Sequence, residues 1–241
     1  VLLRAETPAT LFVVLADPPA GNVGEFHRWY DEVHGPDALG NGSFVALSRF
    51  EAAGPGHVAA PFLAFWEGTF ADETSAWTYI RPRAMELRAA GRAGEVAAVS
   101  FAIMLVREAT AAASHTTDPV RSLVTVQSDW RDPEGAEPVD VWWHRAGLDH
   151  APVDGTAWLV TSDPAGRGTG HHLAAFASSR TVEESLAAWA GMDALVPGTS
   201  PVPPYTNIFG IPAAPDGPDP EPAPAWVMHW RPITAQRVPG A

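Results

Sequence analysis

The chain has 241 residues, room for one large domain or two small ones, and 46% of them are hydrophobic, enough to bury a substantial core. A formal net charge of −13 argues against nucleic acid or an anionic membrane as partner, and all 15 basic residues are arginine, which excludes Schiff-base chemistry through a lysine side chain. The absence of cysteine removes disulfides, thiolate nucleophiles and cysteine-held zinc or iron–sulfur sites.

No apolar run reaches the ~18 residues of a membrane-spanning helix, so none is expected. The opening VLLRAETPATLF lacks the layout of a signal peptide, and the default expectation is a cytoplasmic protein. The Ala/Arg/Gly/Pro-rich usage is similar to that of GC-rich bacterial genomes.

Residues 10–16, TLFVVLA, are β-branched and apolar and predict a buried strand ended by Asp17-Pro18-Pro19. The stretch 22–37, NVGEFHRWYDEVHGPD, then predicts an amphipathic helix. Asn22 and Glu25 have the spacing of a capping box, and Phe26, Trp29, Tyr30 and Val33 fall on one face, with His34 next along the same stripe. Gly35-Pro36 reads as the stop, which places His34 in the last turn, where the helix dipole favours imidazolium. Asp31, three residues earlier, is the expected partner of His34.

Strands are predicted over 43–50, 62–70 and 96–108, with a Gly/Pro/Ala loop at 51–60 and a helix over 71–91 that Pro82 is expected to kink or break. The order is β-α-β-β-α-β, a ferredoxin-like unit over residues 1–110. Residues 111–121 read as a linker, and residues 122–241 start the order again: a strand at 123–130, a short helix at 139–150, strands at 156–162 and 171–179, and a helix at 181–195. Further strands are predicted at 206–211 and 226–233, separated by the Pro-rich acidic PAAPDGPDPEPAPA, which predicts a mobile surface loop. The halves match best where Trp29-Tyr30 aligns with Trp142-Trp143. In that register the second half keeps the aromatic pair but has Gly147 where the first has His34, so Trp143 and His144 are its own candidates. The predicted fold is α+β, two ferredoxin-like βαββαβ units in one chain packed as a pseudo-dimeric α+β barrel.

The motif FHRWYDEVHGPD, with Phe26, Trp29, Tyr30, His34 and Pro36 at its fixed positions, resembles the helix motif of the EthD-like branch of the dimeric α+β barrel superfamily. The βαββαβ order around it adds to the resemblance, and residues 122–237 fit as a degenerate second copy. That superfamily includes polyketide cyclases, cofactor-free quinone-forming monooxygenases, lactone isomerases, dehydratases and haem enzymes, so the fold alone does not assign an activity. The resemblance implies a ligand cleft between sheet and helices, lined by Trp29, Tyr30 and His34 with aromatic partners among Phe44, Phe65 and Trp66.

The expected function is a cofactor-independent cyclase, dehydratase or isomerase acting on a small aromatic or polyketide-like carbonyl compound. His34, Tyr30 and Asp31 form its catalytic set, and Trp29, Phe26, Arg49 and Trp66 bind the substrate. A histidine suits proton transfer beside a carbonyl because its ordinary pKa of about 6.5 lies near working pH; Tyr30 or Arg49 would hold the developing enolate oxygen. The alternatives are a non-catalytic binding or accessory protein, a cofactor-free monooxygenase, and a haem enzyme using His34, His171 or His172. No metal is expected, and the expected partner is a small hydrophobic molecule, with no nucleic acid and no membrane. The assembly is expected to be a monomer with an internal pseudo-dimer, or a homodimer. GRGTG at 166–170 lies between two strands and reads as a hairpin loop, not a phosphate cradle.

Overall fold

The computed structural model describes residues 10–18, 21–53, 61–93, 99–111, 120–129, 156–161, 171–190, 199–200, 223–224 and 226–233. Eight strands close into an antiparallel barrel: β1 (Thr10–Ala16), β2 (Ala46–Ala52), β3 (Phe62–Gly68), β4 (Val99–Ala111), β5 (Ser122–Asp129), β6 (Thr156–Thr161), β7 (His171–Ser178) and, after a two-stranded pair of β8 (Thr199–Ser200) with β9 (Ala223–Pro224), β10 (Trp226–Pro232). The order around the barrel is β1-β3-β2-β10-β5-β7-β6-β4. The first four strands are therefore contiguous as β4-β1-β3-β2, and the other four as β10-β5-β7-β6.

Two seams join these arcs. One is β4 against β6, with a register shift between Val106 and Glu108. The other is β10 against β2, paired only from Trp230↔Ala52 to Pro232↔Phe50. Closure matters because a sheet edge presents unpaired backbone donors and acceptors, and closing the sheet removes it.

β1, β2 and β3 are buried on both faces along most of their length, which is why they read as nearly continuous apolar runs. Alternation still assigns the faces. Val14 and Ala16 of β1, Leu47 of β2, and Phe62, Ala64 and Trp66 of β3 pack with the helices. The intervening residues face the interior. There Phe50 meets Phe65 edge-on at 5.7 Å, and the Trp230 indole donates to Thr125 Oγ1 at 2.8 Å. Phe65 thus faces the barrel interior and not the helices, whereas Phe44 stays beside Trp66.

Three helices cover the first arc. α1 (Val23–Trp29) seats Phe26 on the sheet. Its expected capping box is absent: Asn22 makes no side-chain cap bond, although its carbonyl accepts from Phe26 N at 2.9 Å. Capping boxes occur instead at Asp72/Ser75, opening α3 (Glu73–Ala89), and at Thr181/Glu184, opening α4 (Val182–Trp189). α3 runs as one helix through Pro82, so of the expected kink or break the break does not occur. On the other arc α4 docks through Ser185, whose Oγ lies 2.7 Å from Ser122 Oγ, and through Trp189 against Phe176. β4 runs to Ala111 and β5 starts at Ser122, leaving 112–119 of the expected linker outside the described residues. The predicted helix at 139–150 and strand at 206–211 also lie outside them, while β9 falls inside the stretch expected to be a loop.

The first helix does not stop at Gly35-Pro36. Residues Tyr30–His34 form a π-helical turn, and the chain continues as α2 (Gly35–Gly40). The Gly35 N–H donates to the Tyr30 carbonyl, five residues back. In a regular helix the Pro36 ring would clash with the carbonyl four residues earlier; one extra residue in the turn moves that carbonyl away. Glycine is required beside it, since a Cβ on Gly35 would lie 2.7 Å from the Tyr30 oxygen. Gly35→Ala should therefore destabilise the protein by about 1–3 kcal/mol in urea unfolding. Gly40→Ala, at a helical position with open space around it, should be neutral or mildly stabilising.

Candidate functional site

The π turn decides which side chains meet. In an i→i+5 turn, residues five apart lie over one another, and His34 stacks on Trp29 with ring centroids 4.5 Å apart and planes 6° from parallel. Tyr30 meets the His34 ring edge-on at 5.1 Å. From β3, Trp66 closes the third side at 5.0 Å. His34 is enclosed by aromatic rings yet keeps partial solvent exposure. Burial pushes its pKa from the ordinary 6.5 down to about 4; the Arg49 cation adds to the depression and Asp37 opposes it. The imidazole is thus neutral at physiological pH. The expectation of a dipole-favoured imidazolium fails because His34 lies within a continuing helix, away from any helix end.

Tyr30 is buried, and burial raises its phenol to about 12, with Arg49 pulling the other way. It is a neutral hydrogen-bonding group at any working pH. Trp66 is 1% exposed, and its indole N–H is directed to the Tyr30 phenol, which it favours in the ionised form.

The other predicted site residues form a second group one turn earlier. Arg49 projects from β2 between strand and helix, 2% exposed, and donates to Asp31 Oδ1 at 2.7 Å and to His27 Nδ1 at 2.7 Å. Its guanidinium lies 4.4 Å from the Tyr30 ring centroid. Asp31 is thus the counter-ion of Arg49 and not the partner of His34; the carboxylate whose field reaches His34 is Asp37. Phe26 packs against Tyr30 at 5.1 Å and Phe62 at 5.3 Å, a core position. The sequence expectation missed His27, although its spacing of four from Asp31 puts both on one helix face. It also missed Arg92, whose forked pair with Asp37, at 2.7 and 2.8 Å, and carbonyl contact to Trp29 Nε1 at 2.9 Å tie the end of α3 to this helix.

Trp143 and His144 lie outside the described residues, as do the side chains of His171 and His172. Among the described residues no group of three or more His, Cys, Asp or Glu comes together as a metal site, and no helix is long and apolar enough to cross a membrane.

No protein-family profile matches the sequence, and no curated protein matches it. Solved structures do. A crystal structure of an anthrone oxidase-like protein matches over 96% of this chain and 93% of that one, at 11% identity and a TM-score of 0.51. A proposed monooxygenase from Lactobacillus acidophilus matches over 96% and 97%, at 8% identity and a TM-score of 0.47. At such identities the first likeness establishes the fold alone, an α+β barrel.

The depressed His34 pKa has a consequence for stability. Between about 4 and 6.5 the unfolded chain binds a proton that folded His34 refuses, so stability rises with pH across that window and is fully present above it. Acidification through the window should cost up to about 3 kcal/mol at this position. Thermal unfolding followed against pH should show that loss in the wild type and a flatter profile in His34→Phe.

Proposed function

We propose that the chain is a small-molecule enzyme that needs no bound cofactor, with its ligand held where the π turn faces β3. The observation that carries this reading is the enclosure of His34: a neutral, partly exposed imidazole between Trp29, Tyr30 and Trp66. Flat aromatic walls favour a planar, electron-rich ligand. A neutral imidazole can accept a proton from a phenol or from a carbon acidified by a neighbouring carbonyl; at a pKa of about 4 it is a weak base until the anion formed beside it stabilises the imidazolium and raises that value. The Tyr30 phenol, edge-on to His34 and backed by the Trp66 N–H, is the neighbouring group that can donate to the oxygen on which negative charge develops. Arg49, expected to do this, is engaged by Asp31 and His27 and supports the site through Tyr30.

The substrate class follows as a small aromatic or polyketide-like carbonyl compound. Once it is deprotonated, two outcomes are open to the same groups. Reprotonation or loss of water gives an isomerase, cyclase or dehydratase. Transfer of electrons from the carbanion to dioxygen gives a cofactor-free oxygenase. The second outcome is favoured by the anthrone oxidase-like name of the structure sharing this fold over most of both chains.

The reading extends to the chain's organisation. The strand orders β4-β1-β3-β2 and β10-β5-β7-β6 are the same four-strand order twice. This supports two ferredoxin-like units, 1–110 and 122–241 joined by 111–121, with the EthD-like helix motif in the first. His34, Tyr30, Trp29 and Trp66 form the active constellation there, while the second unit, with Gly147 in register with His34, has Trp143 and His144 as its own candidates.

Oxygen uptake and product formation with an anthrone-type phenol test the proposal. Wild type should turn it over, and His34→Ala should lose roughly 10²–10⁴-fold in kcat, the usual contribution of a positioned base. Turnover without oxygen uptake selects the isomerase or cyclase branch. Ligand-induced stabilisation without turnover, or His34→Ala at wild-type rate, would sink the enzymatic assignment of His34.

A further inference from the structure

His27 was not among the expected site residues, and its geometry carries more information than its position in the sequence. A guanidinium only donates hydrogen bonds. The His27 atom 2.7 Å from Arg49 Nη2 is Nδ1, so that nitrogen must present its lone pair when the bond is made. Under that condition His27 is neutral and carries its proton on Nε2. Asp31, four residues on, takes the other arm of the same guanidinium at Oδ1. Two residues on consecutive turns thus grip one buried cation and set it 4.4 Å from the Tyr30 ring centroid and 5.7 Å from that of Phe26.

Protonation of His27 would reverse this arrangement. A donor would face a donor at 2.7 Å, and two cations would share a half-buried space. Among the described residues, the charged groups facing His27 are Arg49 and Glu51 from β2 and Asp31 from its own helix, while β3 offers the uncharged ring of Phe62 at 4.8 Å. Burial and Arg49 outweigh the two carboxylates, so the net effect lowers the His27 pKa.

We infer that His27 is a positioning residue of the candidate site: as a neutral ring protonated on Nε2, it accepts an Arg49 N–H and, with Asp31, fixes the guanidinium on the face of Tyr30, and protonating His27 releases that hold. The inference rests on Tyr30 belonging to the site proposed above, but it is read from proton positions and not from turnover. A chain with this tautomer and no activity overturns the proposed function alone; an active chain with the other tautomer overturns the role of His27 alone.

The test is nuclear magnetic resonance on the full chain, with His27 assigned by the signals lost in His27→Gln. Long-range proton–nitrogen correlation at neutral pH should show a bare Nδ1 and a protonated Nε2 for His27. Its titration midpoint should lie below 6.5, the ordinary histidine value. The Arg49 side-chain protons, moved upfield by the Tyr30 ring, should return toward ordinary positions with that same midpoint. In His27→Gln, whose amide oxygen accepts without titrating, the Arg49 displacement should persist through the wild-type midpoint. A proton on Nδ1 at neutral pH, or an Arg49 displacement that ignores the titration of His27, overturns the inference. So does an Arg49 displacement in His27→Gln that follows pH as in wild type. Should His27→Gln fail to fold, the wild-type tautomer and the coupling of its titration to Arg49 decide the matter, with His27 assigned by backbone correlation.

Discussion

One hydrogen bond organises this half of the molecule: the Gly35 N–H on the Tyr30 carbonyl, five residues back. A helix carrying Gly-Pro in its path would ordinarily end there. Admitting one extra residue into the turn lets the chain pass the proline and go on to bury Ala38 and Leu39 in the core. The same turn rotates His34 over Trp29 and so gives a sequence of ordinary aromatic residues a stacked imidazole. A regular turn would set His34 beside Tyr30 and Asp31 instead. The backbone irregularity thus creates the side-chain constellation, in keeping with the tendency of π turns to occur at functional sites.

Two ion pairs brace that turn from opposite directions. Arg49 reaches up from β2 to Asp31 and His27, and Arg92 reaches across from the end of α3 to Asp37 and to the Trp29 indole through its carbonyl. They differ in kind. Arg49 is buried, so losing either partner would leave a charge or a donor in a medium that solvates it badly. The Arg92–Asp37 pair is solvent-exposed on the arginine side, where such pairs contribute little energy by themselves and serve mainly to fix geometry.

Much of the architecture was legible in the sequence because hydrophobic alternation and punctuation report local structure. The strands near residues 10–16, 62–68 and 226–232 and the helix opened by Thr181 appear close to where the pattern puts them. The helix stop at Gly35-Pro36 was misread because the usual rule assumes a regular α turn, whereas a π turn with glycine at position 35 carries the chain past the proline. The Asn22 cap failed for a related reason: spacing fits a capping box, but the backbone at Asn22 takes a bridge-like conformation that does not aim the side chain at its target. The site's members were legible in part. The apolar stripe named Trp29, Tyr30 and His34, but which face of β3 Trp66 occupied had to come from register, and the sequence gives no sign that burial would keep His34 neutral. Arg49 stands out by its charge, but nothing local shows that His27 and Asp31 would meet it from another element.

Closing the barrel sets a constraint in time as well as in space. β10 seals against β2 through three residue pairs, and the Arg231–Glu51 contact at that seam joins positions 180 apart in the chain. Contacts of such sequence separation are reached late, because the entropy of the intervening loop is lost before they give anything back. On the ribosome, β1 to β4 can pair with one another long before residues 226–232 have been made, so the outer edge of β2 waits unpaired during synthesis. The nascent chain therefore passes through a stage with an open sheet edge that the finished protein lacks, and its exposure to mispairing depends on how quickly the last strand arrives.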